Sequence, residues 1–179
     1  FSFDYCVIGE TTGTKIINAA AEWGMGSQVR FGKGVLIGKG TYTADFTADY
    51  DYVYPVFQTH VPNGRPKLYI WNLRLIRKDS SANLLETIPS TEFSGELVKA
   101  KLVTVYEGDT AALVPTVPDQ PGEGKRTIAG NTWLLDFSQY TGENADPGAF
   151  FKVSVEKGKE YTFSFDYCVI GETTGTKII

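Results

Sequence analysis

Histidine and cysteine are almost missing from this chain of 179 residues, which contains one histidine, His60, and two cysteines, Cys6 and Cys168. A single histidine offers no pattern from which a Ser-His-Asp arrangement can be built. One histidine with so few thiols also argues against a zinc site. The composition therefore argues against the common nucleophilic and zinc-dependent enzymes, and we expect no catalytic activity.

An excess of basic residues and a long apolar run are also missing. The chain carries 17 Lys and Arg against 21 Asp and Glu, which gives a net charge of −4. Nucleic-acid binding needs a basic stripe that neutralises phosphates, and the sequence has none. A membrane-spanning helix needs about 20 consecutive apolar residues. The sequence therefore predicts neither a nucleic-acid partner nor insertion into a membrane.

The most informative feature of the chain is a repeat. Residues 1–17, FSFDYCVIGETTGTKII, return letter for letter as residues 163–179, at an offset of 162. Either the chain is a window of a tandem array, or it is a permuted unit that carries one segment twice. The two cysteines are thus one position counted twice, and they provide no bridge within a unit. A unit of 162 residues is of single-domain size and buries roughly 70% of its unfolded surface.

Strand patterns cover most of the sequence. The repeated segment alternates aromatic with polar residues, and similar runs are separated by Gly, Asn, Asp and Pro. The predicted strands span residues 28–31, 34–37, 41–46, 50–59, 66–76, 97–106, 133–137, 150–156 and 161–170. A turn over 156–159 predicts that the last two strands pair as a hairpin. The pattern indicates an all-β fold of the sandwich or barrel kind, without long helices.

Three stretches of the chain resemble a known family. The strand Tyr69-Ile70-Trp71-Asn72-Leu73-Arg74-Leu75, the start Asn83-Leu84-Leu85 followed by Phe93, and the segment VSVEKGKEYTFSFDY are similar to jelly-roll carbohydrate-binding modules of the family 4, 9 and 22 group. The resemblance implies a galactose-binding-like β-sandwich that binds polysaccharide outside the cell or at its surface. It also implies a natural seam near 79–83, so that 83–179 followed by 18–79 forms one jelly-roll unit, circularly permuted or strand-exchanged.

Aromatic residues supply the candidate ligand-binding positions. Tyr50, Tyr52 and Tyr54 lie on one face of a strand, with Gln58 on the same parity. Two interpretations remain open, because these rings either line the core or form an exposed platform for sugar stacking. Trp23, in a glycine-bounded loop, is a further candidate platform. Arg30, with Gln58, Asp4 and Asn72, is a candidate polar partner by strand parity.

Acidic residues suggest a structural calcium site. Asp136, Glu143 and Asp146 cluster near a Pro/Gly loop, and hard oxygen ligands of this kind suit Ca²⁺. Their spacing does not match an EF-hand loop, so an acidic solvated turn is the alternative.

The sequence thus favours non-catalytic polysaccharide binding by an extracellular repeat domain. The alternative is a structural repeat of a bacterial surface stalk, adhesin or self-assembling fibre. Since one unit offers one place for two identical strands, we expect residues 163–179 to pair with Phe151–Glu156 within the chain. The copy at 1–17 would then either pair beside the hairpin of a second molecule and cause self-association, or fray.

Overall fold

The computed structural model of the chain describes residues 14–16, 34–36, 39–59, 61, 64–85, 94–107 and 132–170. Strands predominate in this part of the chain, so the predicted all-β class is confirmed. The strands are β1 (Thr14–Ile16), β2 (Gly34–Leu36), β3 (Lys39–Thr47), β4 (Tyr52–Val53), β5 (Val56–Gln58), β6 (Lys67–Arg77), β7 (Val103–Tyr106), β8 (Thr132–Asp136), β9 (Gly148–Phe150), β10 (Val153–Ser154) and β11 (Glu160–Ile170). A short helix, α1 (Glu96–Lys99), precedes β7.

The strands form three antiparallel sheets. A five-stranded sheet has the order β3-β11-β6-β8-β7, and a four-stranded sheet has the order β2-β1-β5-β9. β4 and β10 form a separate two-stranded ribbon. This is a sandwich-like arrangement, while its jelly-roll connectivity stays a prediction.

The alternating sequence of β11 explains why it forms a strand with one buried face. Its side chains at 161, 163, 165 and 167 are buried, and those between them are half-buried. One face of a strand of period two thus enters the core and the other carries polar residues. β11 pairs with β3 from Glu160 to Cys168 and with β6 from Tyr161 to Ile170. The C-terminal copy of the repeat therefore supplies an interior strand of the larger sheet.

The core lies between the two larger sheets. Phe57 of β5 meets Phe165 of β11 edge-to-face, with ring centroids 5.3 Å apart at 83°. Trp133 of β8 and Phe151 make a similar contact at 5.8 Å. One cluster of buried residues includes positions on both sides of residue 79. Residues before and after the predicted seam thus share a core, although the permuted order stays a prediction.

The predicted hairpin between residues 150–156 and the repeated strand is wrong. The turn itself exists, since the Lys159 N–H donates to the Glu156 carbonyl at 3.2 Å and Gly158 has φ 81°. However, β10 pairs with β4, whereas β11 enters the five-stranded sheet. The turn therefore carries the chain from one sheet to another. β11 forms long ladders with β3 and β6, which provide more backbone hydrogen bonds than pairing with the two-residue β10 would.

The strand predicted over 97–106 begins later than expected. Residues 96–99 form the helical turn α1, in which Lys99 N–H donates to the Gly95 carbonyl at 3.0 Å. Leu97 is fully buried, so one side chain anchors the turn to the core. Strand β7 starts only at Val103. The predicted strand at 28–31 lies outside the described residues.

Tyr42 gives the first testable prediction. Burial raises the pKa of Tyr42 from 10.0 to about 12, and its hydroxyl is buried without a hydrogen-bond partner in the described part of the chain. The unfolded state therefore loses this proton first, and the stability that the neutral phenol contributes declines as the pH rises from about 10 through 12. Urea unfolding of Tyr42→Phe should show a smaller loss across this interval than wild type. At pH 7 its free energy of unfolding should equal or exceed that of wild type by about 1 kcal/mol. An identical alkaline loss in both proteins would contradict the assignment.

Candidate functional site

Three tyrosines form a continuous row beside the ribbon of β4 and β10. The rings of Tyr50 and Tyr52 stack with centroids 6.0 Å apart at 25°, and Tyr52 meets Tyr54 edge-on at 5.6 Å and 73°. All three are half-buried, and Val53 and Pro55, which alternate with Tyr52 and Tyr54, are buried. Around β4 the small apolar side chains thus point inward and the rings of Tyr52 and Tyr54 outward. The rings lie outside the buried core cluster, which favours the platform over the core interpretation.

Phe150 extends the row by a residue that sequence reasoning missed. Tyr54 contacts Phe150 of β9 edge-on, with centroids 6.0 Å apart at 80°. The pairing of Val56 with Phe150 between β5 and β9 brings the two chain segments together. We call Tyr50, Tyr52, Tyr54 and Phe150 the aromatic row. Only the pairing of distant strands places Phe150 there, so no local pattern indicates it.

Lys152 gives the row a cationic side. Its ammonium nitrogen lies 4.3 Å from the centroid of the Tyr52 ring, in cation–π geometry. Ser154 is paired directly with Tyr52 across the ribbon, and Lys152 has the same parity as Ser154. Contacts of this kind at exposed sites contribute only about 0.5 to 1 kcal/mol. A ligand can therefore displace the lysine from the ring or accept a hydrogen bond from it.

Gln58, one of the predicted ligand-binding residues, stabilises a neighbouring loop. It is only 3% exposed, and its amide nitrogen donates to the Asp146 carbonyl at 2.6 Å. The Thr59 N–H donates to the Pro147 carbonyl at 3.2 Å, so two consecutive residues anchor the same loop. The Gln58 amide is thus already engaged within the protein, because a buried amide needs partners.

The three residues predicted to bind calcium do not form a compact group. Within the described residues, no cluster of three or more His, Cys, Asp or Glu side chains is close enough to hold a metal ion. Asp136 instead accepts a hydrogen bond from Ser138 N–H at 3.1 Å and lies 3.5 Å from Lys67. Asp146 N–H donates to the Asn144 side chain at 2.9 Å, and Glu143 is exposed. The calcium site stays a prediction.

A polar cluster lies on the face of the five-stranded sheet that is turned away from the core. Asp166 of β11 accepts hydrogen bonds from Thr41 of β3 and, at 2.8 Å, from the Asn72 amide of β6. Asn72 has φ 51° and lies where the β6–β11 register shifts, opposite Phe165. Asparagine tolerates this left-handed conformation, which suits a β-bulge. Asp166 repeats the Asp4 position, so two residues named as polar candidates meet through the second copy.

Trp23 and Arg30, as well as Asp4, lie outside the described residues. No helix in the described segments is long and apolar enough to cross a membrane. Comparisons of the chain with protein-family models, curated proteins and solved structures each returned no match. A function therefore has to be argued from the residues of the chain itself.

Proposed function

We propose that this chain binds polysaccharide without catalysis, through the aromatic row. The observation that carries this proposal is the run of four contacting rings outside the core, with Lys152 at 4.3 Å from Tyr52. A pyranose has an apolar face that stacks on a tyrosine ring and hydroxyls that need hydrogen-bond partners. The half-buried tyrosine rings supply a stacking face, and the Lys152 ammonium beside Tyr52 supplies a hydrogen-bond donor.

The expected affinity is weak. Stacking that removes ~100 Å² of apolar surface from water contributes roughly 2.5 kcal/mol per ring at ~25 cal/mol per Å². Association costs at least about 4 kcal/mol, so two or three stacked rings leave only a small surplus. A single site of this kind works in the micromolar to millimolar range. Tandem copies raise the avidity, and a repeated extracellular or cell-surface domain of the carbohydrate-binding-module kind fits this regime.

Tyr52→Ala tests the proposal. It removes the central ring of the row and the partner of Lys152, so retention on a bound polysaccharide in affinity electrophoresis should weaken ~10- to 100-fold. Because Tyr52 is only half-buried, the melting temperature should change by no more than a few degrees.

Tyr106→Ala is the matched control, since Tyr106 is a half-buried tyrosine on β7, outside the row. It should leave retention unchanged. Equal losses in both variants would argue against the row as the site. Failure to retain any of a panel of neutral and acidic polysaccharides would contradict the proposal itself.

The structural-repeat alternative has its own support. The repeated segment contributes β1 through Thr14–Ile16 of its first copy and most of β11 through its second copy. A segment that supplies strands to both sheets can join successive units. A protein that retains no glycan but forms regular end-to-end assemblies would favour this function.

A further inference from the structure

The site of interest is the position between β3 and β6, which we call the central strand site. Its occupant is β11, whose residues 163–170 belong to the second copy of the repeat. Phe163 and Phe165 are at most 1% exposed there, and Tyr167 is 8% exposed. On the other face Asp166 is held by Thr41 and Asn72. Side chains on both faces therefore select this sequence.

We propose that the central strand site is a binding site for either copy of the segment FSFDYCVI, so that residues 1–8 replace residues 163–170 when the second copy is unable to bind. The first copy carries the same eight side chains in the same order. Phe1, Phe3 and Tyr5 correspond to the buried rings, and Asp4 corresponds to Asp166. Every contact that residues 163–170 make in the site is thus available to residues 1–8.

The second copy has an advantage that explains why it occupies the site. Residues 160–162 lie in the strand but precede the repeat, and Tyr161 among them is 2% exposed. Its ring stacks on Phe46 at 5.7 Å, and its hydroxyl accepts a hydrogen bond from Glu156 N–H at 2.8 Å. Tyr161 is continuous with the second copy, so these contacts hold residues 163–170 next to the site. The second copy therefore fills the site in the wild-type chain.

The first copy can reach the site within the same molecule. Thr14 pairs with Leu36 in the four-stranded sheet, and Cys168 pairs with Lys39 in the five-stranded sheet. Leu36 and Lys39 are three residues apart, at most ~11 Å, and paired strands are about 5 Å apart. The backbone at Cys168 thus lies within ~21 Å of Thr14. The eight residues from Cys6 to Thr14 span up to ~27 Å, so the replacement is intramolecular.

Aspartate substitutions in the two copies test the proposal. Phe165→Asp places a charge at a buried position and expels the second copy. Since residues 1–8 then take the site, the full chain should keep its strand-rich circular dichroism and a single thermal transition. The melting temperature should fall by roughly 10 °C, because residues 1–8 are not continuous with residues 160–162 as the second copy is. In Phe165→Asp the amides of residues 2–8 should exchange as slowly as those of β3 and β6.

Two control variants complete the experiment. Phe3→Asp alone should melt at the wild-type temperature, because the second copy still fills the site. The double variant Phe3→Asp/Phe165→Asp should lose cooperative folding. Light scattering of Phe165→Asp should give a monomer. The proposal is overturned if Phe165→Asp unfolds like the double variant, if its residues 2–8 exchange much faster than β3 and β6, or if Phe165→Asp folds only as an oligomer.

Discussion

Phe57→Ala should lower the free energy of unfolding by ~3 to 5 kcal/mol. Phe57 is fully buried on the short strand β5 and contacts Phe165 of the opposite sheet at 5.3 Å. Removing its ring leaves a cavity between the two sheets, and neighbours fixed in strands relax only partly into it. Urea unfolding at neutral pH, followed by tryptophan fluorescence, measures the loss.

The same experiment tests whether the sheets share one core. Val155→Ala is the control, because Val155 only packs against the edge of the core cluster and is half-buried. It should cost about 1 kcal/mol. Both variants should unfold in a single transition. Two separate transitions for Phe57→Ala, or a loss no larger than that of Val155→Ala, would contradict the shared core.

Gly95→Ala should be similarly destabilising, by ~3 to 5 kcal/mol. Gly95 precedes α1 with φ +112°, a conformation that L side chains rarely adopt, and a Cβ atom there would lie 2.4 Å from the Gly148 carbonyl oxygen. Backbone strain of this kind costs about 1 to 3 kcal/mol, and overpacking a further 1 to 3 kcal/mol. Thermal and urea unfolding measure the effect.

This substitution also links the fold to the proposed site. Ser94 and Phe150 exchange two backbone hydrogen bonds, at 2.8 and 3.0 Å, so displacement of β9 moves the last ring of the aromatic row. Gly158→Ala is the matched control, since Gly158 has φ +81° but open space around it. It should cost only about 1 kcal/mol. A comparable loss for both glycines would show that the contact with Gly148 is unimportant.

Local alternation predicted the strands well where one face is buried. Residues 161–167 alternate aromatic and polar side chains, and the strand predicted over 161–170 is β11 almost as expected. The predicted strand over 50–59 is broken into β4 and β5 around Pro55. Proline lacks the N–H that a continuous ladder needs. The shared face of Tyr50, Tyr52 and Tyr54 also follows from the sequence, because parity depends only on the local backbone.

The sequence did not predict which strands pair with each other. The turn at 156–159 predicted a hairpin, but turn residues indicate a change of direction and do not identify the strand on the other side. Phe150 and Lys152 join the tyrosines only because β9 and β10 pair with strands nearly one hundred residues earlier. Asp166 and Asn72 meet for the same reason, at a bulge in the β6–β11 pairing.

The sequence by itself determined the all-β class, the alternating faces and the existence of two identical segments, since each of these is a local property or a direct comparison of letters. Tertiary structure decided which sheet receives the second copy, which rings extend the tyrosine row and which polar groups are already engaged. Those outcomes depend on long-range pairing and burial. A strand's hydrogen-bonding edges are the same for every neighbour, so only the side chains packed on its two faces select the partner.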